Sequence, residues 1–199
     1  MRKWFTALSV LSAVLLLPLG TAAETHIVKS GDTMWKIAVR YEVGVSEIIG
    51  ANPQVENPDL IYPGQVLAVP GVDAAVLTYE TEVIRLVNEA RAENGLSALK
   101  PNWELSRVAR YKSQDMKDKG YFSHSSPTYG SPFTMMKNFG IRYRSAGENI
   151  AMGQRTPEAV VNAWMHSSGH RANILSTSFT EIGVGYVADG NYWTQMFIG

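Results

Sequence analysis

Three hydrophobic regimes follow one another along this chain. Trp4 to Leu19 is almost continuously apolar behind the basic pair Arg2 and Lys3. Between His26 and Pro70, short β-prone runs bracket two stretches of helical period. From Thr78 to Trp164 apolar residues recur at three- and four-residue steps, and from Glu181 onward they alternate in twos. The first run is 16 residues, short of the roughly 20 that span a bilayer. Small residues Thr21-Ala22-Ala23 follow it, so residues 1–23 read as a cleaved secretory signal peptide rather than an anchor. No other stretch is apolar enough to span, and no membrane association is expected after cleavage.

The second regime predicts a small βααβ module over residues 25–70. Thr25 to Lys29 is a short strand, and Ser30-Gly31 turns the chain. Asp32 or Thr33 can cap a helix whose Met34, Ile37, Ala38 and Tyr41 share one face. A second helix, Val45 to Ala51, ends at Asn52-Pro53, where proline disfavours continuation. Pro63-Gly64 turns the chain into a returning strand, Gln65 to Val69. Residues 71–77 form a connector too short to hold two domains far apart.

A larger domain occupies residues 78–199. Thr78 or Thr81 starts a helix with Val83, Leu86, Val87 and Ala90 inward, ending near Gly95. Asn102 caps a second helix, with Leu105, Val108, Ala109 and Met116 inward and Gly120 as its stop. Ser131-Pro132 opens a short helix carrying Met135 and Met136, and Thr156-Pro157 opens another carrying Val160, Val161 and Trp164. Glu181 to Val187 and Tyr192 to Ile198 read as strands joined at Asp189-Gly190, a type I′ hairpin signal. Helices followed by antiparallel strands predict an α+β layered fold.

Composition narrows the chemistry. The chain of 199 residues has 18 basic and 18 acidic side chains and no cysteine. Without the signal the basic count falls to 16, so no basic stripe invites nucleic acid. The lack of cysteine excludes disulfides, a thiol nucleophile and a lipid anchor at a signal-peptide cysteine, and leaves histidine and carboxylate as the available metal ligands. Three of the four histidines, His124, His166 and His170, fall between Phe122 and Ile174 together with Glu148. That grouping points to a single polar site.

Three ordered blocks of the small module resemble the LysM family. They are Val28-Lys29-Ser30-Gly31-Asp32-Thr33-Met34-Trp35-Lys36-Ile37-Ala38, then Ile48-Ile49-Gly50-Ala51-Asn52-Pro53, then Leu60-Ile61-Tyr62-Pro63-Gly64-Gln65. The resemblance implies binding of N-acetylglucosamine glycans such as peptidoglycan or chitin in a shallow groove. The groove positions map to Gly31, Asp32, Thr33, Met34, Asn52, Pro53 and Ile61. Asp32 and Thr33 can equally serve only as helix caps, and Ile61 only as packing. One module alone should bind weakly.

Four blocks of the larger domain resemble the bacterial branch of the CAP superfamily, also called the SCP domain. They are Phe122-Ser123-His124-Ser125-Ser126-Pro127, Gly147-Glu148-Asn149-Ile150, the run from Trp164 to Leu175, and Trp193-Thr194-Gln195-Met196-Phe197. The implied fold is an α-β-α sandwich. Its relatives often carry two histidines and two glutamates able to hold a divalent cation. His124 and Glu148 match the first of each, but Ser167 and Tyr192 stand where the second pair belongs. His170 is the candidate replacement.

His124, Glu148 and His170 are therefore the candidate catalytic and metal residues, with zinc as one possible cofactor. They fit three roles: a cation or ligand site, an acid/base site with Glu148 as base, or a hydrogen-bond network tying two loops together. Ser125 and Ser126 read as loop caps, since no nucleophile elbow surrounds them. Arg171 and Asn173 read as fasteners of the segment after Trp164. The favoured function is a secreted protein bound to cell-wall or spore-envelope glycan, and the alternative is a hydrolase of wall peptide, glycan or secreted protein.

Overall fold

A computed structural model describes residues 23–199. The expected signal segment lies outside the described residues, apart from Ala23.

The small module is built as its pattern predicts. Strand β1 (Glu24–Ile27) pairs antiparallel with β2 (Val66–Val69), with Glu24 opposite Val69. Between them run α1 (Met34–Tyr41) and α2 (Val45–Ala51). Met34, Ile37, Ala38, Ile48, Leu67 and Val69 form its core. Thr33 is the cap of α1, its hydroxyl accepting the Lys36 amide at 3.2 Å. Asp32 turns inward instead, to the His26 ring at 2.8 Å and the Lys29 amide at 2.9 Å.

The larger domain begins earlier than its pattern predicts. Helix α3 (Ala74–Glu93) starts inside the expected connector because Asp73 accepts the amides of Ala75 (2.7 Å) and Val76 (3.4 Å). Thr78, expected to start the helix, bonds back to the Ala74 carbonyl within it. The buried stripe of α3 also holds two charged residues, Glu80 and Arg91, beside Val83 and Val87.

There follow β3 (Lys100–Pro101), α4 (Trp103–Lys119), α5 (Pro132–Asn138), β4 (Ala146–Met152), α6 (Pro157–Met165), α7 (Ser168–Ile174), β5 (Glu181–Val187) and β6 (Tyr192–Ile198). The sheet order is β3-β5-β6-β4, with β3 parallel to β5 and the other pairs antiparallel. Helices α4 and α5 cover one face; α3, α6 and α7 cover the other. This is the α-β-α sandwich.

Two elements of this layer structure have no counterpart in the hydrophobic pattern. Strand β4 reads Ala-Gly-Glu-Asn-Ile-Ala-Met and is buried on both faces, so it shows no alternation. Its partner β6 holds it extended despite weak strand propensity. Helix α7 forms in spite of Gly169 because its end is held from outside: Arg91 donates to the carbonyls of Ile174 (2.7 Å) and Ser176 (2.8 Å). The expected type I′ turn is also replaced. Val187 already pairs with Tyr192, leaving a four-residue connection, and the positive φ values fall on Gly190 and Asn191 rather than on Asp189 and Gly190.

Helix α4 lies directly on β5. A Cβ on Gly183 would sit 2.3 Å from the Ser106 nitrogen, and one on Gly185 would sit 2.1 Å from the Arg110 nitrogen. This closeness lets side chains satisfy the edge of β5 beyond short β3. Ser106 accepts the Val184 amide at 3.1 Å, and Glu80 accepts the Tyr186 amide at 3.0 Å while pairing with Arg110. An edge strand sealed this way offers no template for another chain.

Gly185→Ala should therefore destabilise the fold by about 1–3 kcal/mol or more, since the obstacle is helix backbone. Gly169→Ala, with open space around its Cβ, should stabilise by roughly 0.5–1 kcal/mol. Thermal unfolding of the two variants checks both signs.

Candidate functional site

The site grows from the C-terminal half of α4. Lys112 is 1% exposed, yet its ammonium has three acceptors: the Tyr121 hydroxyl (3.1 Å) and the carbonyls of Ser123 (2.7 Å) and His124 (3.0 Å). One turn on, Asp115 accepts from the hydroxyls of Ser126 (2.6 Å), Tyr121 (2.6 Å) and Thr128 (2.5 Å). Burial alone would raise the Asp115 carboxyl, but those hydroxyls and Lys112 outweigh it and hold the carboxyl below its ordinary value. Ser126 in turn accepts the amides of Thr128 and Tyr129, so it is a loop cap. Two buried charges on α4 thus fix the loop that carries His124.

Strand β4 supplies the partner. Its edge position brings Glu148 against that loop, where His124 Nδ1 meets Glu148 Oε1 at 2.6 Å. The two are unequally placed: the imidazole is 54% exposed and the carboxyl side chain only 1%. Glu148 Oε2 is buried with no protein partner among the described residues. Burial pushes the Glu148 carboxyl up, against the opposing pull of the His124 hydrogen bond and the Lys112 charge. A carboxylate acceptor at Nδ1 selects the Nδ1–H tautomer and leaves Nε2 as the solvent-side base or ligand atom.

His170 reaches the same edge from α7. Its backbone carbonyl accepts the Asn149 carboxamide at 3.1 Å, and Asn173 donates to Asn149 (2.8 Å) and to the Glu148 carbonyl (3.2 Å). Asn173 is therefore a fastener, whereas Arg171 is exposed and its side chain has no hydrogen-bond partner among the described residues. Burial lowers the His170 value, and the nearby His124 charge lowers it further. Gly147 makes room for this arrangement, since a Cβ there would meet the Phe179 ring at 2.9 Å.

His124, Glu148 and His170 thus gather at one end of the sandwich, whereas His166 bonds the Asn162 carbonyl within its own helix. Tyr192 stands opposite Met152, four residues along the ladder from Glu148. Ser167 is the residue before α7. Among the described residues no three His, Asp or Glu side chains converge as a ready ligand set. Lys112, Asp115 and Tyr121, which hold the site, were not singled out from sequence. The recurrence of charge at Lys112 and Asp115 on the otherwise apolar face of α4 was the available signal.

In the small module the seven groove residues divide. Gly31, Thr33, Pro53 and Ile61 keep surface, while Met34 is core. Asn52 is buried, bonding Ile48 and both backbone groups of Ala68. Asp32 is committed to His26 and Lys29, chiefly the Lys29 amide, which lowers its carboxyl to about 2. The loop after α2 adds a depression of about 350 Å³ walled by Gln54, Asn57, Leu60, Tyr62 and Gln65. Leu60 and Tyr62 are exposed beside it. Alternation about Ile61 was their sequence signal.

The model of the cysteine-rich secretory protein family, CAP, matches residues 84–197, and that of the LysM domain matches residues 26–70. The uncharacterized protein YkwD of Bacillus subtilis is 62% identical over 126 residues, covering 63% of this chain and 49% of that one. The uncharacterized membrane protein YlbC of the same organism is 34% identical over 145 residues, 70% of this chain and 41% of that one. Among solved structures, an extracellular protein containing a SCP domain from Bacillus anthracis aligns with TM-score 0.60 at 32% identity, covering 68% of this chain and 47% of that one. The chain spans about half the length of the relatives it matches. No helix among the described residues is long and apolar enough to cross a membrane.

The pH dependence of Glu148 gives a test. A carboxyl raised by folding stabilises the native state below its ordinary 4.5, and that contribution is lost as pH rises through the raised value. Glu148→Gln should therefore be at least as stable as the parent at pH 7, with its advantage shrinking toward pH 4.5. Melting curves across that range check this; His170 titrates in both proteins and cancels in the difference.

Proposed function

Because the chain belongs to the CAP family and carries a LysM domain ahead of the CAP domain, we propose that it is an extracellular wall-associated protein. In this reading LysM holds N-acetylglucosamine glycan, peptidoglycan or a chitin-like polymer, and the CAP cleft takes a ligand at His124 and Glu148. The observation that carries the CAP half is the buried, unpartnered Glu148 oxygen behind a half-exposed imidazole. Burying a carboxylate oxygen without a protein partner costs free energy, which a network serving stability alone would avoid. Such strain is the mark of a site whose partner arrives with the ligand.

The LysM half rests on the match over residues 26–70 and on the surface kept by Gly31, Thr33, Pro53 and Ile61. Extracellular location draws support from the SCP-domain protein named above. Whether the wall concerned is vegetative or the spore envelope is decided by fractionating both.

Hydrolysis is the second reading, favoured by the same pair. Glu148 raised by burial and His124 with Nε2 free toward solvent make a proton-transfer couple of the kind general acid–base catalysis uses. Zinc, held at His124 Nε2 with His170 nearby, would polarise a carbonyl or activate water. The described side chains do not already converge for it.

Retention on purified peptidoglycan separates the modules. Thr33→Arg should cut retention roughly tenfold, a loss of about 1.4 kcal/mol, and deleting the LysM segment should abolish it. His124→Ala and Glu148→Gln should leave retention unchanged. Release of soluble wall fragments by the parent and not by Glu148→Gln would make the protein a hydrolase; no release, with zinc or fragment binding lost in both variants, would make it a binding protein. Full retention without the LysM segment would sink the anchoring claim.

A further inference from the structure

The LysM module does not hang freely from the CAP domain. Glu47 of α2 accepts from Arg107 Nε (2.6 Å) and from the Tyr111 hydroxyl (2.5 Å), both on α4. Beside this contact opens a cavity of about 390 Å³, within the size range of small-ligand pockets, roughly 300–1,000 Å³. Its walls come from both modules: Trp35 from α1, Trp103, Glu104 and Arg107 from α4, and Asn138 and Phe139 from the end of α5.

The wall chemistry narrows the ligand. Trp35 is 65% exposed, and Val39, one turn on, is exposed beside it. This apolar stripe of α1 faces the cavity instead of the module core. The indole N–H groups of Trp164 and Trp193 are satisfied by carbonyls of Ile150 and Gln154. Those of Trp35 and Trp103 find no protein acceptor among the described residues, nor do the Glu104 carboxylate and the Asn138 carboxamide find side-chain partners. Arg107 is the one cation lining the cavity among the described residues, and Glu47 already neutralises it. Flat aromatic faces with spare donors and acceptors suit a ligand with apolar ring faces and polar edges. The lack of a free cation disfavours an anionic stem peptide.

We infer that this inter-module cleft is a second saccharide site, taking a neutral N-acetylated sugar unit between Trp35 and Trp103. It shares its ligand class with the proposed LysM groove, and that class rests on the groove reading, but occupancy does not require the groove. Two weak sites on one chain would raise avidity for a polymeric glycan. Gly44 makes the joint close: a Cβ there would meet the Arg107 guanidinium at 2.2 Å.

The test is an indole N–H titration of the full chain with N-acetylglucosamine tetramer, repeated in Thr33→Arg. The expected result is a shift of the Trp35 and Trp103 signals in both proteins. Trp103→Ala should lower wall retention roughly tenfold while Trp103→Phe restores most of it, which separates a stacking role from a folding defect. Unmoved indole signals in the parent would overturn the inference. So would shifts that vanish in Thr33→Arg, since they would merely relay groove binding, or shifts produced by a sugar-free stem peptide and not by the tetramer. Should Thr33→Arg keep full retention while Trp103→Ala loses it, the groove reading fails and the cleft stands.

Discussion

The contact on which the rest depends is the seating of α4 on β5 over Gly183 and Gly185. With no Cβ at either position, helix backbone comes within about the width of a single atom of the strand. That one helix then holds the module joint, the open edge of β5 and the loop that carries His124. Its Arg107 and Tyr111 hold the LysM module. Its Ser106 seals the β5 edge directly, and its Arg110 does so by holding Glu80. Its last turns carry Lys112 and Asp115, which hold the His124 loop. A shift of α4 along the sheet would move module joint, edge and site together.

The same helix explains why the site can bear its electrostatic cost. Glu148 is buried with one oxygen lacking a protein partner among the described residues, and its charge is compensated only in part by Lys112 and His124. Lys112 is itself a buried cation whose charge is disfavoured by desolvation, with Glu148 and Asp115 pulling the other way. Three ionisable groups therefore share one poorly hydrated region, and each limits what the others cost. The loop from Tyr121 to Gly130 contributes mainly backbone and hydroxyl groups to this arrangement, so its conformation is dictated by α4 more than by its own turns.

Much of this was legible in the residues because the governing forces are local. Thr33, Asn102, Ser131 and Thr156 cap the helices they precede, and the helical stripes of α4, α5 and α6 face inward as their periods require. The LysM and CAP blocks identified both domains and brought His124, Glu148 and His170 to one place. What escaped was set by long-range contacts. Strand β4 has no alternation to read, because both its faces are buried. Helix α7 depends on Arg91, more than 80 residues away in sequence. The groove residues Met34 and Asn52 turned out to be packing and tethering groups, since a family's motif does not distinguish a residue that touches ligand from one that shapes the surface. The turn at Asp189-Gly190 moved by one residue because ladder pairing decided the loop length.

The central claim is that Glu148 is a buried carboxyl kept at a functional cost behind a solvent-facing histidine. The most direct measurement is a carbon-13 and nitrogen-15 NMR titration of the Glu148 carboxyl and the His124 ring in the folded chain. The account predicts a Glu148 midpoint above its ordinary 4.5, with neutral His124 protonated at Nδ1. A midpoint at or below 4.5, or a neutral ring protonated at Nε2, would contradict it.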